Sequence, residues 1–311
     1  MSNILISGGT GLIGSQLCNY LTQKAYNVTI LTRKKSATSE NPKISFSYWD
    51  VDRKIIDTEA VKKADHIIHL AGAGVMDKKW TARYKKIILE SRTKSAELII
   101  SCLKDNEHKV KTFVSASAIG WYGADSKPSS RKEGFIETDP PANDFLGETC
   151  RLWEASVEPA AAVGVRVIKL RTGIVLSNNG GAFKKYKRPV RFGIAAILGN
   201  GKQIVSWIHI HDLCRLYCEA IENNSLEGSY NATAPEPVSQ KTLILYLAKK
   251  LKNRFFTAIH VPQFFLKIIF GKRSIEILKS ATVNDQKIKK EGFTFLFPSI
   301  ESAIDELVAH P

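Results

Sequence analysis

The amino-terminal residues carry the pattern that most restricts the fold of this chain. A hydrophobic run from Ile4 to Ser7 leads into three glycines at a spacing of three, Gly8, Gly11 and Gly14. This pattern predicts a strand, a tight turn and the start of a helix. The first glycine would permit the turn, the second would let backbone N–H groups approach a pyrophosphate, and the third would let the helix pack closely on the sheet.

The predicted turn is a candidate dinucleotide site, because the partial positive charge at a helix N-terminus suits phosphate groups. A turn with a purely structural role is the alternative. The residues that we place against the cofactor here are Gly8, Thr10, Gly11, Leu12, Ile13 and Gly14.

Short β-branched runs alternate with amphipathic patterns through the first half of the chain, which is typical of βαβ units. Predicted strands cover residues 3–7, 27–32, 44–48, 66–70, 112–116 and 165–170. Predicted helices cover residues 12–24, 81–104 and 145–162. We therefore predict an α/β fold, a Rossmann-type doubly wound parallel sheet with a smaller, mainly helical C-terminal lobe. The boundary is placed between a cofactor-binding domain, 1–175, and a substrate lobe, 176–311, with the lobes interleaved.

The pattern changes beyond about Thr172. Glycines at 180, 181, 193, 199 and 201 flank a basic segment, which predicts a long irregular stretch that ends in a strand-like run at 203–210. Predicted helices follow at 212–222, 239–250, 262–270, 274–279 and 300–308, with a strand at 228–232. Irregular stretches of this length usually cover a binding site.

The end of the second predicted strand indicates which dinucleotide is bound. A carboxylate about 20 residues beyond the glycines would hold the ribose 2′-hydroxyl of NAD, but this sequence has Thr32, Arg33 and Lys34 there. A guanidinium can bind a 2′-phosphate through two charge-assisted hydrogen bonds. We therefore predict NADP(H), with Arg33 as a surface cation as the alternative. Asp50, which ends the third strand, is either an adenine contact or a solvated turn residue.

The fourth strand ends in small residues, as a cofactor that passes close to the sheet requires. We place Leu70, Ala71 and Gly72 at the cofactor. Arg92, on the long helix that follows, is a candidate cation near it, and a structural arginine is the alternative.

Composition bounds the other function classes. The 311 residues are 44% hydrophobic, enough for one large core or two linked ones, and no apolar run is long enough to cross a membrane. We predict a cytoplasmic protein with no membrane partner. The net charge of +15 comes from basic residues spread over the whole length, which favours a solvated surface over a specific nucleic-acid site. Five cysteines without a Cys-x-x-Cys pair indicate reduced, buried thiols.

These motifs together resemble the extended short-chain dehydrogenase/reductases, and more narrowly an epimerase/dehydratase-like branch of unassigned substrate with a C-terminal domain of unknown function. The resemblance spans almost the whole chain. The motifs that carry it include Gly8 to Gly14, Ser115 to Gly123, Trp153-Glu154, Arg171 to Leu176, Trp207 to Ile210 and Asn231 to Pro237. It implies hydride chemistry at a carbonyl or carbinol carbon, and it implies a homodimer by analogy.

The resemblance breaks at the proton relay. The superfamily uses a serine, which Ser117 matches, and a Tyr-x-x-x-Lys pair on the next helix. With Glu154 aligned one turn after the lysine position, Leu146 stands in place of the tyrosine and Cys150 in place of the lysine. Neither side chain can do that chemistry.

Three residues are candidates to replace the relay or to assist it. Tyr122 lies in a glycine-flanked loop five residues after Ser117, and we predict these two as the catalytic pair, with a pocket wall as the alternative for Tyr122. Glu148 is either a replacement carboxylate or a solvent-facing residue. His209 is favoured as a structural histidine over a base or a metal ligand, and no metal site is predicted.

The substrate is the least constrained part of the prediction. The resemblance implies an arginine for a sugar-nucleotide diphosphate at position 205, but the residue there is Val205. The aromatic residues Trp121, Tyr122, Phe183 and Trp207 indicate either an aromatic-walled pocket or core packing. Two hypotheses follow: an NADP(H)-dependent oxidoreductase or epimerase-like enzyme, and a non-enzymatic NADP(H)-binding sensor or scaffold.

Overall fold

The computed structural model describes residues 2–125 and 134–310. Its strands are β1 (Asn3–Ser7), β2 (Asn27–Thr32), β3 (Ile44–Asp50), β4 (Ile55–Ile56), β5 (His66–His69), β6 (Thr112–Ala118), β7 (Arg166–Thr172), β8 (Ile174–Ser177), β9 (Ile194–Leu198), β10 (Ile204–Val205), β11 (Trp207–His209), β12 (Gly228–Ala232), β13 (Val238–Ser239) and β14 (Thr257–Val261). Its α-helices are α1 (Leu12–Gln23), α2 (Thr58–Lys63), α3 (Ala82–Asp105), α4 (Phe145–Val157), α5 (Gly181–Arg191), α6 (Ile210–Glu222), α7 (Gln240–Lys252), α8 (Gln263–Phe270), α9 (Ser274–Leu278), α10 (Gln286–Lys290) and α11 (Ile300–Ala309).

The large sheet has the strand order β12-β7-β6-β5-β1-β2-β3-β4, and its strands are parallel except for β4, which pairs antiparallel with β3. On one side of β1 the strands follow in the order β2, β3 and β4, and on its other side in the order β5, β6, β7 and β12. In a sheet of this kind a ligand binds in the crevice at the carboxyl ends of the strands where the order reverses. The reversal lies between β1 and β5.

Helices cover both faces of this sheet. One hydrophobic core lies between the sheet and helices α1 and α6, and includes Ile6, Leu17 and Leu213. A second lies on the opposite face under α3 and α4, and includes Leu5, Ile99 and Val157. Adjacent residues of β1 point into different cores because side chains alternate along a strand. The predicted doubly wound α/β fold is confirmed.

The C-terminal lobe has its own core, built by α5, α7 and α11 against β9. Its strands form small two-stranded sheets, β10 with β13 and β14 with β9, so the lobe is mainly helical as predicted. Strand β12 also follows residue 175, yet it pairs with β7 at the edge of the large sheet. The chain therefore returns to the large sheet after residue 175.

The segment predicted to be irregular, residues 173–202, is instead largely regular. It forms β8, α5 and β9. The prediction was wrong here because the glycines mark the ends of α5 and β9 rather than an open loop. In addition, the cations of α5 interrupt the apolar pattern in the sequence, although Phe183 and Val190 form a buried face of the helix.

Two predicted elements differ in their bounds. The helix predicted to reach residue 162 ends as an α-helix at Val157, and a 3₁₀-helix with Pro159 in its first turn continues over Glu158–Val163. The strand predicted at 203–210 is divided into β10 and β11, and α6 begins already at Ile210.

All five cysteines are free and buried, as predicted. No helix within residues 2–125 and 134–310 has the length and apolar character that crossing a membrane requires.

Candidate functional site: a dinucleotide crevice beside a buried polar network

The glycine-rich turn leaves no room for side chains at two of its positions. Gly8 has φ +75°, and a Cβ there would lie 2.7 Å from the Leu70 carbonyl carbon. A Cβ on Gly14 would lie 2.3 Å from Gly8 O, far inside van der Waals contact. The turn closes through Gly11 N–H, which donates to Gly8 O at 3.0 Å. Glycine is therefore required at both ends of the turn.

Helix α1 begins directly from this turn with its N-terminus open. Its N-cap is Gly11, no side chain caps it, and no acidic residue stands in its first turn. Thr10 and Gly11 are exposed, and Leu12 and Ile13 are partly exposed. The first N–H groups of the helix are thus available to an anion. The donors and the missing Cβ atoms fit a pyrophosphate.

The end of β2 presents cations. Thr32 is buried, and its Oγ1 accepts a hydrogen bond of 3.1 Å from Lys34 N–H, which turns the chain after the strand. Arg33 and Lys34 are exposed, and among the described residues neither takes part in an ion pair. The carboxylate of Asp50, one strand further, accepts from Arg53 N–H at 3.0 Å, which fits the turn role that was one of its two alternatives.

The segment after β5 lies against the glycine turn. Leu70 N–H donates to Ser7 O at 2.9 Å, and Leu70 and Ala71 border Gly8. Gly72 lies against Arg92, whose guanidinium carbon would be 2.9 Å from a Cβ at that position. The structure therefore brings these predicted cofactor residues together at the carboxyl ends of β1 and β5.

Arg92 is held by backbone oxygens and an aromatic ring. Its Nη1 donates to Ala73 O at 3.0 Å and to Ile88 O at 2.7 Å, and its guanidinium lies 4.8 Å from the centre of the Trp153 ring. Burial lowers the pKa of Arg92. Within the described part of the chain no carboxylate pairs with it, so its charge remains available to a ligand.

A buried polar network lies further along the same sheet edge. Ser117, Arg171 and Asn231 are register partners on the adjacent strands β6, β7 and β12. Ser117 Oγ donates to Glu154 Oε1 at 2.7 Å, and Arg171 binds both oxygens of Glu154, at 2.8 and 2.9 Å. All four of these side chains are buried.

Tyr122 joins the network at its far end. Its hydroxyl donates to Asn231 Oδ1 at 2.6 Å and accepts from Arg171 Nη1 at 3.0 Å, while its ring stacks on Phe135. Burial raises the pKa of Tyr122, although Arg171 acts to lower it. Ser117 and Tyr122 are therefore connected, but through Glu154 and Arg171 and not directly.

Sequence reasoning did not find this network. Glu154, Arg171 and Asn231 were noted only as parts of family motifs, and their contacts join residues far apart in the chain. The signal present in the sequence was Arg171 inside an apolar strand, since an arginine is rarely fully buried without a partner.

Helix α4 presents a neutral surface where the family carries its Tyr-Lys pair. Leu146 and Cys150 face Gly120, and Cys150 Sγ donates to Ala118 O at 3.6 Å. Burial, followed by the charge of Glu154, raises the pKa of the Cys150 thiol to about 12, although Arg92 acts to lower it. Glu148 is exposed and binds Arg151 through both oxygens, so it has the solvent-facing position that was its alternative.

The remaining candidates lie in the core. His209 is buried, its Nε2 lies 2.9 Å from Glu306 Oε2, and its Nδ1 accepts from His211 N–H, which fits the structural role that the sequence favours. Phe183 and Trp207 are fully buried in the C-terminal core, so they line no pocket. Val205 is also buried. Across residues 2–125 and 134–310, no three or more His, Cys, Asp or Glu side chains cluster as metal ligands would.

Fold and site together define a Rossmann-type dinucleotide-binding protein. The model of the NAD dependent epimerase/dehydratase family matches residues 4–232, and that of a domain of unknown function, DUF1731, matches residues 261–307. The chain belongs to the NAD dependent epimerase/dehydratase family.

Curated relatives and solved structures agree with this assignment. The chain is 34% identical over 311 residues to an epimerase family protein of Staphylococcus haemolyticus, covering 99% of both chains. The human epimerase family protein SDR39U1, crystallised with NADPH, is 25% identical with a TM-score of 0.84, over 99% of this chain and 100% of that one. The UDP-glucose 4-epimerase of Thermotoga maritima, at 20% identity, TM-score 0.77 and 99% and 98% coverage, shares the fold.

Proposed function

We propose that this protein binds NADP(H) and uses it to transfer hydride at a carbonyl or carbinol carbon of a small molecule. The observation that carries the proposal is the pair of exposed cations, Arg33 and Lys34, at the end of β2, next to a turn shaped for a pyrophosphate. A 2′-phosphate fits these cations, whereas the carboxylate that NAD would require is not there. The NADPH in the similar human structure supports the same choice.

The predicted contacts divide between the two halves of the cofactor. The turn residues and the N-terminus of α1 would hold the bridging phosphates, while Thr32, Arg33 and Lys34 would hold the adenosine 2′-phosphate. Leu70, Ala71, Gly72 and Arg92 lie on the other side of β1, where the nicotinamide half would extend. The nicotinamide would supply or accept the hydride, and the protein would orient the substrate beside it.

Arg92 supplies the positive charge near the position where the family carries its lysine. Its guanidinium lies 4.8 Å from the centre of the Trp153 ring, on the same helix as Cys150, which occupies that position, and it comes from α3 instead of α4. A cation on a neighbouring helix can stabilise developing negative charge on a substrate oxygen as a lysine would. We therefore assign Arg92 to the nicotinamide side of the site.

Of the two residues predicted to be catalytic, Ser117 has the position that better supports the proposal. It lies one residue before the end of β6, beneath α4, where the resemblance places the family's serine, although its hydroxyl proton is directed at Glu154. Tyr122 is bound to side chains of β7 and β12, further from the β1–β5 crevice. Catalysis by either residue stays a prediction.

A non-enzymatic NADP(H) sensor or scaffold is the second candidate. Leu146 and Cys150 favour it, because a site that binds the cofactor but lacks the usual proton donor is what such a protein needs. A nucleoside-diphosphate sugar is the less favoured substrate class, since buried Val205 cannot neutralise a diphosphate.

Titration of the purified protein with NADPH and NADH tests the cofactor claim. We expect tighter binding of NADPH, and we expect Arg33→Ser to weaken it roughly 10- to 100-fold with little effect on NADH, because charge-assisted hydrogen bonds are lost. Arg254→Ser, an exposed arginine of the C-terminal lobe, is the matched control. Equal affinity of the parent for both coenzymes would contradict the proposal, and NADPH binding without turnover of any carbonyl compound in a screen would favour the sensor.

A further inference from the structure

Helix α8 turns a stripe of large apolar side chains to solvent. Phe264, Phe265, Ile268 and Ile269 are 56%, 48%, 74% and 59% exposed, whereas Leu266 is buried. Residues at i, i+1, i+4 and i+5 lie on one face of a helix. We call these four residues the α8 face. Exposed apolar surface that is concentrated in this way marks a contact site.

The α8 face is held outward by the fold. Just beyond the helix, Arg273 Nη1 donates to Met76 O at 2.6 Å, and Arg273 Nε donates to Phe270 O at 3.2 Å. These bonds fasten the end of α8 to the segment after β5. With Leu266 packed inside, the helix is anchored on one side and uncovered on the other.

The segment that contains this helix is cationic. Residues 262–275 contain no Asp or Glu and three basic residues, which are Lys267, Lys272 and Arg273. Lys267 and Lys272 are exposed, and no ion pair involves either of them among the described residues. An apolar stripe bordered by unpaired cations is complementary to a surface that is apolar inside and anionic outside.

We propose that the α8 face docks on the surface of a lipid bilayer that is rich in anionic headgroups. The phenylalanine and isoleucine side chains enter the boundary between headgroups and acyl chains, and the lysines remain at the phosphates. This peripheral contact needs no spanning helix. It departs from our sequence-based expectation that a membrane is no partner of this protein.

A second copy of the chain fits this surface less well. A twofold contact through α8 would bring Lys267 and Lys272 of both copies together, and the nearest acidic residue in the chain, Glu276, is already paired with Lys279. Four partly exposed side chains offer roughly 400 Å², about half of the ~800 Å² per partner in a standard stable interface. A nucleic acid would use aromatic planes for stacking, but the two most exposed side chains of the face, Ile268 and Ile269, are aliphatic, and the rings of Phe264 and Phe265 lie against each other.

Sedimentation with vesicles tests the proposal on the full-length protein. We expect binding to phosphatidylglycerol–phosphatidylcholine vesicles, weak binding to pure phosphatidylcholine, and weaker binding to the anionic vesicles at high salt. Phe264→Ser with Ile268→Ser, and separately Lys267→Glu with Lys272→Glu, should each reduce binding at least 10-fold. Ile55→Ser with Ile87→Ser removes two exposed isoleucines elsewhere and is the matched control. Unchanged thermal unfolding and NADPH affinity verify that each variant is folded.

Three outcomes would overturn the proposal. The first is no sedimentation of the parent with anionic vesicles, and the second is equal losses in the α8 and control variants. The third is another occupant: concentration-dependent self-association that the apolar variant abolishes, or binding to single-stranded RNA that only the lysine variant abolishes.

Discussion

Ser117 and Arg171 are paired in register on neighbouring strands, and both bind the carboxylate of Glu154. The serine hydroxyl donates to Oε1, the oxygen that also accepts from Arg171 Nε. The only proton of Ser117 Oγ is therefore directed at Glu154 rather than at the crevice. To donate to a substrate oxygen, Ser117 must rotate away from this carboxylate, or it must accept from a substrate hydroxyl in its present position.

Loss of the charge on Glu154 should destabilise the protein strongly. Glu154→Gln keeps the shape of the side chain but leaves Arg171, which is 3% exposed, without its counter-charge. Breaking a buried ion pair from one side costs about 3–5 kcal/mol of unfolding free energy. Urea unfolding measures this change. Glu148→Gln, on the exposed side of the same helix, should have no measurable effect, and equal results for the two variants would show that the buried pair does not stabilise the fold.

Tyr122→Phe separates a structural from a catalytic tyrosine. Removal of the hydroxyl leaves Asn231 and Arg171 each without one hydrogen-bond partner, so we expect a loss of about 1–3 kcal/mol of unfolding free energy. NADPH affinity and any turnover found in the screen should change little, whereas Ser117→Ala should lower turnover. A 100-fold loss of turnover in Tyr122→Phe, with normal NADPH binding, would instead establish the catalytic role that the sequence predicts.

The sequence predicted the sheet because the signals for its strands and first helices are local. The runs at β1, β2 and β5 are short and β-branched or apolar, and the glycine turn specifies its own geometry. Helix α5 was missed since its apolar side chains, such as Phe183, alternate with five cations and are covered by β8, by β9 and by the distant helix α7. The network of Glu154, Arg171 and Asn231 was missed for the same reason: pairing between distant segments leaves no periodic pattern in sequence.

Buried histidines should make the protein less stable in mild acid. Burial lowers the pKa of His69 to about 3, so the native state keeps this imidazole neutral while the unfolded state becomes protonated below about pH 6.5. The contribution of neutral His69 to the unfolding free energy is complete above pH 6.5. It falls as the pH decreases towards 3, by up to about 1.4 kcal/mol per pH unit. The free energy of unfolding, measured with urea between pH 7.5 and 4.5, should fall less steeply with decreasing pH in His69→Asn than in the parent. The exposed His260→Asn should retain the parent slope, and an unchanged slope in His69→Asn would contradict the expectation.

Gly14→Ala should abolish cofactor binding by moving the helix away from the turn. The new Cβ would lie 2.3 Å from Gly8 O, an atom of the backbone that cannot move without opening the turn. We expect NADPH affinity to fall at least 100-fold in calorimetric titration. Gly164→Ala is the control, because its positive φ of +78° costs about 1 kcal/mol of strain while no atom lies near the new Cβ. Parent-like NADPH affinity in Gly14→Ala would show that the cofactor does not bind at this turn.

The position of Arg92 can be tested by comparing NADPH with a ligand that contains only the adenosine half of the cofactor. Arg92→Met keeps a long side chain over Trp153 but removes the charge beside Gly72. If Arg92 holds the nicotinamide half, this variant should bind NADPH roughly 10- to 100-fold more weakly and should bind 2′,5′-ADP, which lacks that half, as the parent does. Arg33→Ser should weaken both ligands, and Arg83→Met, an exposed arginine on the same helix as Arg92, should weaken neither. Equal weakening of NADPH and 2′,5′-ADP in Arg92→Met would mean that the arginine acts by holding the Ala73 carbonyl, and with it the loop after β5, rather than by contact with the nicotinamide half.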